Sequence, residues 1–434
     1  MKNHKQMHIG VLVIGCGHHQ AAWLSSDSSV ERVVDIAYYQ ELAQIAEKGL
    51  FDAVFFADNQ SFQGISANVM PAFWFDPIVN LTAISQVTNY VGLVSTISST
   101  FSNPFTAARQ ILSLDHVSGG RVGWNLVTSM TDLEAQNHSM EKLPIHAKRY
   151  EKAAEFADVV TKLFDSWEEA DFIHDRKTKQ LMRPNKINPI KHIGKYFQVR
   201  GPLTTPKSPQ GRPVLMQAGA SNPGITLAAE YADAVYSVSW NRRQAREFRE
   251  KMDQAVLERG ERNRYIKIFP GLVTYVGKTR DEALKKKAKL DKLLDTDTIL
   301  NQLSIFVGQD CSKWDVDKKV PVLPPVEEFS GPVGRYKTIL EIIRDKDPTV
   351  RELLSYLNAG GGHFTLIGTP EEIVDEMELW FKEGIADGFN LMPPSFPHSL
   401  EDFVELIIPE LQKRGLFRTS YEGSTLREHF QLEE

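Results

Sequence analysis

The sequence YVGLVSTISSTFSNPFTAARQILSLDHVSGGRVGWNLV, residues 90–127, contains the alternation that decides the fold. Tyr90–Ile97 is a short apolar run that predicts a buried strand, and Arg121–Val127 predicts a second one. Between them, the segment from about Phe105 to His116 has the longer amphipathic pattern of a helix. Strands this apolar are typical of a parallel sheet that is buried on both faces.

The same alternation continues in both directions from this stretch. Further strands are predicted at His8–Ile14, Phe51–Ala57, Pro213–Ala218, Ala234–Val238, Ile266–Val276 and Ala386–Met392. Further helices are predicted at Val30–Lys48, Ile78–Thr88, Arg149–Asp165, Pro223–Tyr231, Arg242–Glu258 and Pro370–Lys382. This pattern gives an α/β fold and also allows an open doubly wound sheet. The eight strands favour a (β/α)8 TIM barrel with long insertions.

Two stretches interrupt the alternation. Residues 166–209 are aromatic and polar, and predict a small extra hairpin around GKYFQVRGPL (194–203). Residues 295–363 predict a long loop, which in a compact barrel is usually functional or mobile. We therefore expect residues 1–434 to form a single barrel domain with insertions at about 166–209 and 295–363.

The composition is that of an ordinary globular protein, with 42% hydrophobic and 24% charged residues. A net charge of -6 with interspersed signs argues against a nucleic-acid surface. The charge-dense run RDEALKKKAKLDK (280–292) predicts a solvated helix face. We expect neither a membrane span nor a signal peptide, since the opening apolar run is short. Two cysteines, Cys16 and Cys311, suit a reducing compartment, so a cytoplasmic protein is expected.

Polar side chains recur directly after the predicted strands, where a barrel of this kind has its active site. They are His18, His19, Asp58, Thr96, Ser98, Ser99, Asn125, Thr128, Ser129 and Ser221. The segment GCGHHQ (15–20) lacks the third glycine of a dinucleotide-binding motif. Adjacent histidines on an extended chain point to opposite sides, which favours an acid–base or substrate-binding role for one of them over a metal site. Asp58 is either a loop anchor or a pocket acceptor.

Two segments predict contacts to a phosphate. In QAGASNPG (217–224), Ser221 lies directly before a predicted helix, whose backbone N–H groups can bind an anion. Ser221 can equally be a helix N-cap, and the two roles are compatible. In HAKRY (146–150), His146 and Tyr150 are four residues apart and so share one helix face. They could contact a phosphate or a flavin edge, or be solvent-exposed residues at a helix start.

The chain resembles the bacterial luciferase-like flavin monooxygenase superfamily, in the branch with nitrilotriacetate, dibenzothiophene sulfone and long-chain alkane monooxygenases. The resemblance runs nearly end to end. It is carried by AEKGLFDAVFFAD (46–58), SLDHVSGGRVGWNLVTS (113–129), HAKRYEKAAEF (146–156), GKYFQVRGPL (194–203), PVLMQAGAS (213–221), IGTPEEI (367–373) and IPELQKRGLFR (408–418).

The resemblance implies a two-component enzyme without a metal, which uses O2 and reduced FMN from a separate NAD(P)H:flavin reductase. It also implies a homodimer or homotetramer. By matching position, the flavin contacts would be Asp58, Thr96, Ser129, His146, Tyr150 and Ser221, with Tyr150 and Ser221 at the phosphate. Cys16, His19 and Asn125 match positions near the reacting edge, and these three are the candidate catalytic residues.

The chain departs from the alkane enzyme at two positions, where Gln63 replaces a tyrosine and Met130 replaces a histidine. GHHQAAW (17–23) is closer to relatives that act on amino-carboxylates or thioether acids. We therefore expect oxygenation of such a substrate, with possible C–N or C–S cleavage, and Arg335 or Arg109 as a partner for its carboxylate. The alternatives are a metal-dependent hydrolase with His18, His138 and His146 as ligands, and a non-catalytic flavin-binding protein.

Overall fold

The computed structural model describes residues 6–62, 74–168, 172–261, 264–329 and 333–432. Its strands are β1 His8–Leu12, β2 Ala53–Phe56, β3 Gly92–Ser98, β4 Val122–Val127, β5 Phe172–Asp175, β6 Gln180–Met182, β7 His192–Ile193, β8 Gln198–Val199, β9 Val214–Gln217, β10 Ala234–Ser237, β11 Lys267–Val276, β12 Phe364–Gly368 and β13 Gly388–Leu391.

The main sheet confirms the predicted barrel. Its strand order is β10-β9-β4-β3-β2-β1-β13-β11-β12, and an additional pairing joins β10 to β11. Eight strands therefore close into a ring, which is a (β/α)8 barrel, while β12 is a further strand that pairs with β11. Neighbouring strands run parallel, so that Thr96 of β3 lies opposite Asn125 of β4.

Helices separate the strands. They are α1 Ile36–Lys48, α2 Pro77–Ser85, α3 Pro104–Ser118, α4 Asp132–Asn137, α5 His146–Phe164, α6 Asn222–Tyr231, α7 Arg242–Glu258, α8 Arg280–Asp291, α9 Thr296–Val307, α10 Val333–Lys346, α11 Val350–Leu357, α12 Pro370–Lys382, α13 His398–Asp402, α14 Ile408–Lys413 and α15 Leu426–His429. A π-helical turn at Phe403–Ile407 lies between α13 and α14. None of the helices in the described ranges is long and apolar enough to cross a membrane.

Local signals fix the ends of α3 between β3 and β4. The side chain of Asn103 accepts hydrogen bonds from the backbone N–H groups of Phe105 and Thr106, and Pro104 occupies the first turn. The helix ends at Gly119, whose φ of 72° is a left-handed conformation that glycine adopts without strain. These two caps explain why the sequence pattern located this helix to within two residues.

The two interruptions of the alternation have different structures. Residues 192–199 form the predicted hairpin from β7 and β8, and a second hairpin, β5 with β6, precedes it. The expectation of a long loop at 295–363 is wrong, since α9, α10 and α11 lie in it. These helices pack around their own apolar cluster, which includes Leu303, Ile339 and Leu353.

Contacts group the chain into two compact units. The first consists of Met1–Phe51, Gly219–Ser221 and Tyr236–Thr419, and the second of Asp52–Ala218, Asn222–Val235 and Ser420–Glu434. Each has a buried apolar core, which is the main source of folding free energy. Core residues of the first include Ile9, Leu272 and Phe389, and those of the second include Leu93, Trp124 and Phe156. That the whole chain behaves as a single domain stays a prediction.

Candidate functional site

The second unit places two of the predicted site residues side by side. The amide Nδ2 of Asn125 donates a hydrogen bond of 3.0 Å to Oγ1 of Thr96, and both side chains are buried. The other amide atom of Asn125, Oδ1, is buried and has no hydrogen-bond partner among the described residues. Since a buried acceptor without a donor is costly, this atom is suited to a ligand that donates an N–H group.

Ser129 lies at the end of the β4 segment in a strained conformation. Its φ is 59°, which is uncommon for a residue other than glycine. Its Oγ is 2.8 Å from Oγ of Ser98, and its carbonyl oxygen accepts a hydrogen bond of 2.6 Å from the Arg149 guanidinium. Strain of this kind is often found at functional sites, because the surrounding contacts hold it in place.

The first turn of α5 carries several groups that suit an anion. The N-cap residue of this helix, Ile145, makes no capping hydrogen bond, so the first-turn backbone N–H groups are suited to an anion. His146 and Tyr150 share one face as predicted, with ring centroids 4.8 Å apart. Burial lowers the pKa of the Arg149 guanidinium, and its buried Nε has no hydrogen-bond partner within the described ranges. Partial burial and the charge of Arg149 also lower the pKa of His146.

Two further residues predicted to bind the cofactor are Asp58, earlier in the sequence, and Ser221, later in it. Asp58 is partly buried two residues after β2, and burial raises its pKa against an opposing hydrogen bond of 2.8 Å from the Gln60 amide. Ser221 directly precedes α6 and is partly exposed. Met130 is 75% exposed, and Gln63 lies outside the described residues.

In the first unit, His19 is the centre of a hydrogen-bond network that the sequence does not reveal. Its Nδ1 accepts from the backbone N–H of Ala21, so Nε2 carries the proton and donates to Asp291 at 3.0 Å. Asp291 also accepts from Lys287, Ser355 and Asn358. His19 is therefore a neutral, fixed imidazole whose two nitrogens are both occupied.

The same network sets the charges around His19. Burial lowers the pKa of His19, while the hydrogen bond and charge of Asp291 oppose this effect. Burial would raise the pKa of Asp291, but the bond from His19 and the charge of Lys287 bring it well below its usual range. Asp291 and Lys287 belong to the run 280–292, so the prediction of a purely solvated face is wrong for these two side chains.

His18 and Cys16 are buried beside His19 in sequence. Nε2 of His18 donates a hydrogen bond of 2.8 Å to the carbonyl oxygen of Leu12, and burial lowers the His18 pKa to about 4. Burial raises the pKa of the Cys16 thiol to about 11, despite an opposing hydrogen bond with Ser28. Cys16 is thus a protonated thiol at neutral pH and not an activated nucleophile.

A third group in the first unit consists of Tyr236, His363 and Arg335. The Tyr236 hydroxyl lies 3.3 Å from Nε2 of His363, and their rings stack with centroids 5.5 Å apart. Burial lowers the pKa of His363 to about 3, and the charge of Arg335 acts in the same direction. The guanidinium of Arg335 lies 4.7 Å from the centroid of the Phe306 ring. Arg109, the other arginine considered for a carboxylate, is exposed on α3.

The three histidines of the hydrolase alternative have other roles in the structure. His18 bonds to a backbone carbonyl, His138 donates to the Gln60 amide oxygen at 2.5 Å, and His146 packs against Tyr150. In the part of the chain that the structure describes, no three histidine, cysteine or acidic side chains could together hold a metal ion.

Sequence reasoning missed Asp291, Tyr236 and Phe306. Tyr236 lies inside a predicted strand and Phe306 inside a segment predicted as a loop, so neither stood at a strand end. The available signal for Asp291 was the spacing of Ala283, Lys287 and Leu290, which lie four and three residues apart and so share one face of the helix. Asp291 lies next to Leu290 at the end of that helix.

Comparison with known proteins gives concordant matches. Residues 7–387 match the family model for luciferase-like monooxygenases. The chain is 40% identical to N-acetyl-S-(2-succino)cysteine monooxygenase of Bacillus subtilis (strain 168), covering 99% of this chain and 97% of that protein. It is 38% identical to nitrilotriacetate monooxygenase component A of Aminobacter aminovorans, covering 100% and 98%. The structure of EDTA monooxygenase from Chelativorans sp. BNC1 superposes with a TM-score of 0.82 at 32% identity, covering 99% of each chain.

Proposed function

Because the chain belongs to the luciferase-like monooxygenase family, we propose that it is the oxygenating component of a two-component enzyme that uses reduced FMN and O2. The predicted family resemblance and the predicted enzyme class are thereby confirmed. The observation that carries the cofactor assignment is the Thr96–Asn125 pair, whose buried Oδ1 acceptor has no protein donor among the described residues.

The substrate is a small polar molecule that bears carboxylates on either side of a thioether sulfur or an amine nitrogen. Three similar proteins are named for N-acetyl-S-(2-succino)cysteine, nitrilotriacetate and EDTA, and each of these compounds has several carboxylates near sulfur or nitrogen. The common chemical feature is a C–H bond next to a heteroatom. Hydroxylation there yields a product that collapses to a carbonyl compound and a free thiol or amine.

The overall reaction balances with one substrate, one O2 and one reduced FMN. When bound, reduced FMN would supply the two electrons of the reaction, so that one oxygen atom would enter the substrate and the other would leave as water. The chain's own task is to bind both molecules in a fixed geometry and to exclude water from the reacting atoms.

The side chains divide this task. In the second unit, Arg149, Tyr150 and His146 would hold the phosphate of FMN, with the first turn of α5 adding backbone donors. Ser221, directly before α6, stays a predicted phosphate contact. The ring system would contact Thr96, Ser129 and Asp58, and the free Oδ1 of Asn125 would accept a hydrogen bond from it. Of the predicted catalytic residues, His19 and Cys16 are neutral and buried, which suits shaping the substrate pocket better than transferring a proton.

The partner is a separate NAD(P)H:flavin reductase, from which reduced FMN reaches the enzyme by diffusion. Both components work in the cytoplasm, where NAD(P)H is available, and the oxygenating component forms a homodimer or homotetramer. The two cysteines, both unpaired, are compatible with a reducing compartment.

An anaerobic titration with reduced FMN tests the cofactor assignment. We expect Tyr150→Phe and Asn125→Ala to weaken binding by about 10-fold each, because each removes one hydrogen bond that would be made to the cofactor. Ser113→Ala is the matched control, since Ser113 is an exposed residue of α3 that bonds only locally to the carbonyl of Arg109. Oxygen uptake should then rise when N-acetyl-S-(2-succino)cysteine or nitrilotriacetate is added.

Two results would contradict the proposal in different ways. A wild-type protein with no affinity for reduced FMN would exclude the flavin assignment and direct attention to bound metals. A protein that binds reduced FMN but shows no substrate-dependent oxygen uptake with any carboxylate-bearing thioether or amine would leave a flavin-binding protein without oxygenase activity.

A further inference from the structure

Arg335 is a largely desolvated cation that no acidic side chain among the described residues neutralises. Its guanidinium lies over the Phe306 ring, and it is so close to Gly361 that a Cβ there would stand 2.7 Å from Nη1. Burial lowers the pKa of Arg335. Within the described ranges of the chain, neither a hydrogen bond nor an ion pair involves this guanidinium. Its side chain nevertheless remains partly exposed, so a small molecule can approach it.

An anionic ligand is therefore suited to neutralise the charge of Arg335. A charge that is taken out of water without a counter-ion is costly, and proteins normally pair it. Arg344, on the same helix α10, shows the ordinary arrangement, because it bonds to Glu341 and Asp345. A guanidinium can instead donate two parallel hydrogen bonds to one carboxylate, which matches its planar fork.

Two polar and uncharged side chains, Tyr236 and His363, lie near Arg335. Tyr236 and His363 lie close enough for the Arg335 charge to act on both, and His363 is neutral at physiological pH because its pKa is about 3. Nδ1 of His363 is buried and has no hydrogen-bond partner among the described residues. Gly271 leaves the space that these two side chains occupy, since a Cβ at this position would collide with both.

We infer that Arg335 is the substrate's carboxylate anchor, with Tyr236 and His363 as neutral polar groups beside the bound acid. The inference rests on the proposed function for the identity of the reaction, but the binding of the acid can be measured without it. It restricts the substrate to molecules with at least one carboxylate that can reach the Arg335 guanidinium. A neutral thioether such as a dialkyl sulfide would lack this contact.

Titration calorimetry of the FMN-free protein with N-acetyl-S-(2-succino)cysteine and with its trimethyl ester, which has no free carboxylate, tests the anchor. We expect Arg335→Gln to weaken binding of the acid by about 10- to 100-fold, as for a lost charge-assisted hydrogen bond. The ester should bind equally well to the wild type and to Arg335→Gln. Arg335→Lys keeps the charge but not the planar fork, so its affinity for the acid should lie between those of the wild type and Arg335→Gln. Arg344→Gln is the matched control on the same helix and should bind as the wild type does.

The outcomes separate the anchor from a structural role and from the proposed reaction. If both Arg335 variants lost affinity for the acid and for the ester equally and also had a lower thermal midpoint, Arg335 would have a role in folding, and the inference would be overturned. Unchanged binding of the acid by Arg335→Gln, or a wild type that binds neither this acid nor nitrilotriacetate, would overturn it as well. A wild type that binds the acid but not reduced FMN would leave the anchor standing and exclude the proposed reaction.

Discussion

At the scale of single residues, the structure depends on buried polar groups whose partners lie far away in sequence. Thr96 and Asn125 were predicted together because they occupy equivalent places at the ends of neighbouring parallel strands. The partner of His19 could not be predicted in this way, since Asp291 lies 272 positions further on. A sequence pattern reports on local periodicity, whereas a hydrogen bond across the fold depends on how helices and strands dock.

Arg249 offers a test of such a distant pair. This buried residue of α7 donates to the carbonyl of Ile266 at 2.8 Å and to Asp387, which is 0% exposed, at 2.5 Å. Replacing it by methionine in Arg249→Met leaves the Asp387 carboxylate buried without its cation. We expect the free energy of unfolding to fall by about 3–5 kcal/mol in urea denaturation.

The control for this variant lies three residues earlier on the same helix. Arg246 is exposed and pairs with Glu383 at the surface, where an ion pair contributes less than about 1 kcal/mol. If Arg246→Met and Arg249→Met destabilised the protein equally, the loss would come from methionine on α7 and not from the buried pair.

At the scale of elements, periodicity located the eight barrel strands and long helices such as α7 and α12. The strand β12 was missed because its short apolar run, FTLIG (364–368), lies in the gap between the helix predicted at Pro370–Lys382 and the loop predicted at 295–363. Within the segment 295–363, Leu300, Leu303 and Val307 have helical spacing, so the sequence there did indicate a helix. What the sequence could not show is that α9, α10 and α11 bury their apolar faces against one another.

The apolar cluster of the 295–363 segment makes this element testable on its own. Leu353 of α11 is 0% exposed within the cluster, and Leu353→Ala removes buried methyl groups and leaves a cavity. We expect the free energy of unfolding to decrease by about 2–5 kcal/mol. Val322→Ala in the same segment should change it by less than about 0.5 kcal/mol, because Val322 is 99% exposed.

A local measurement accompanies this comparison. Limited proteolysis should cut the 295–363 segment of Leu353→Ala sooner than that of the wild type, with the barrel fragments persisting longer. If Leu353→Ala and Val322→Ala were both cleaved at the rate of the wild type, α11 would not depend on this cluster.

At the scale of the whole molecule, buried neutral histidines make stability depend on pH. The pKa values of His18 and His363 are about 4 and about 3, below the value of 6.5 for an unburied histidine. The unfolded chain therefore binds protons more readily than the folded one. Stability is then fully present above about pH 6.5 and declines as the pH falls toward the folded values.

The expected size of this effect follows from the same pKa values. Between pH 7 and pH 5, each of the two histidines should lower the free energy of unfolding by about 2 kcal/mol. In urea titrations, the free energy of unfolding of His363→Gln should fall by about 2 kcal/mol less than that of the wild type between pH 7 and pH 5. His398→Gln, at a residue whose side chain is 48% exposed, should lose as much as the wild type does. Parallel curves for all three proteins would show that His363 does not titrate with unfolding.

The burial of both thiols has a consequence for the lifetime of the catalyst. An enzyme that brings O2 to a reduced flavin releases hydrogen peroxide whenever the substrate is missing. Peroxide attacks the thiolate form of cysteine, and burial raises the pKa of Cys16 and of Cys311 to about 11. Both sulfurs are thus protected from the hydrogen peroxide that the protein forms in the absence of substrate. Oxidation by peroxide should instead begin at the thioether of Met130, which is 75% exposed to solvent.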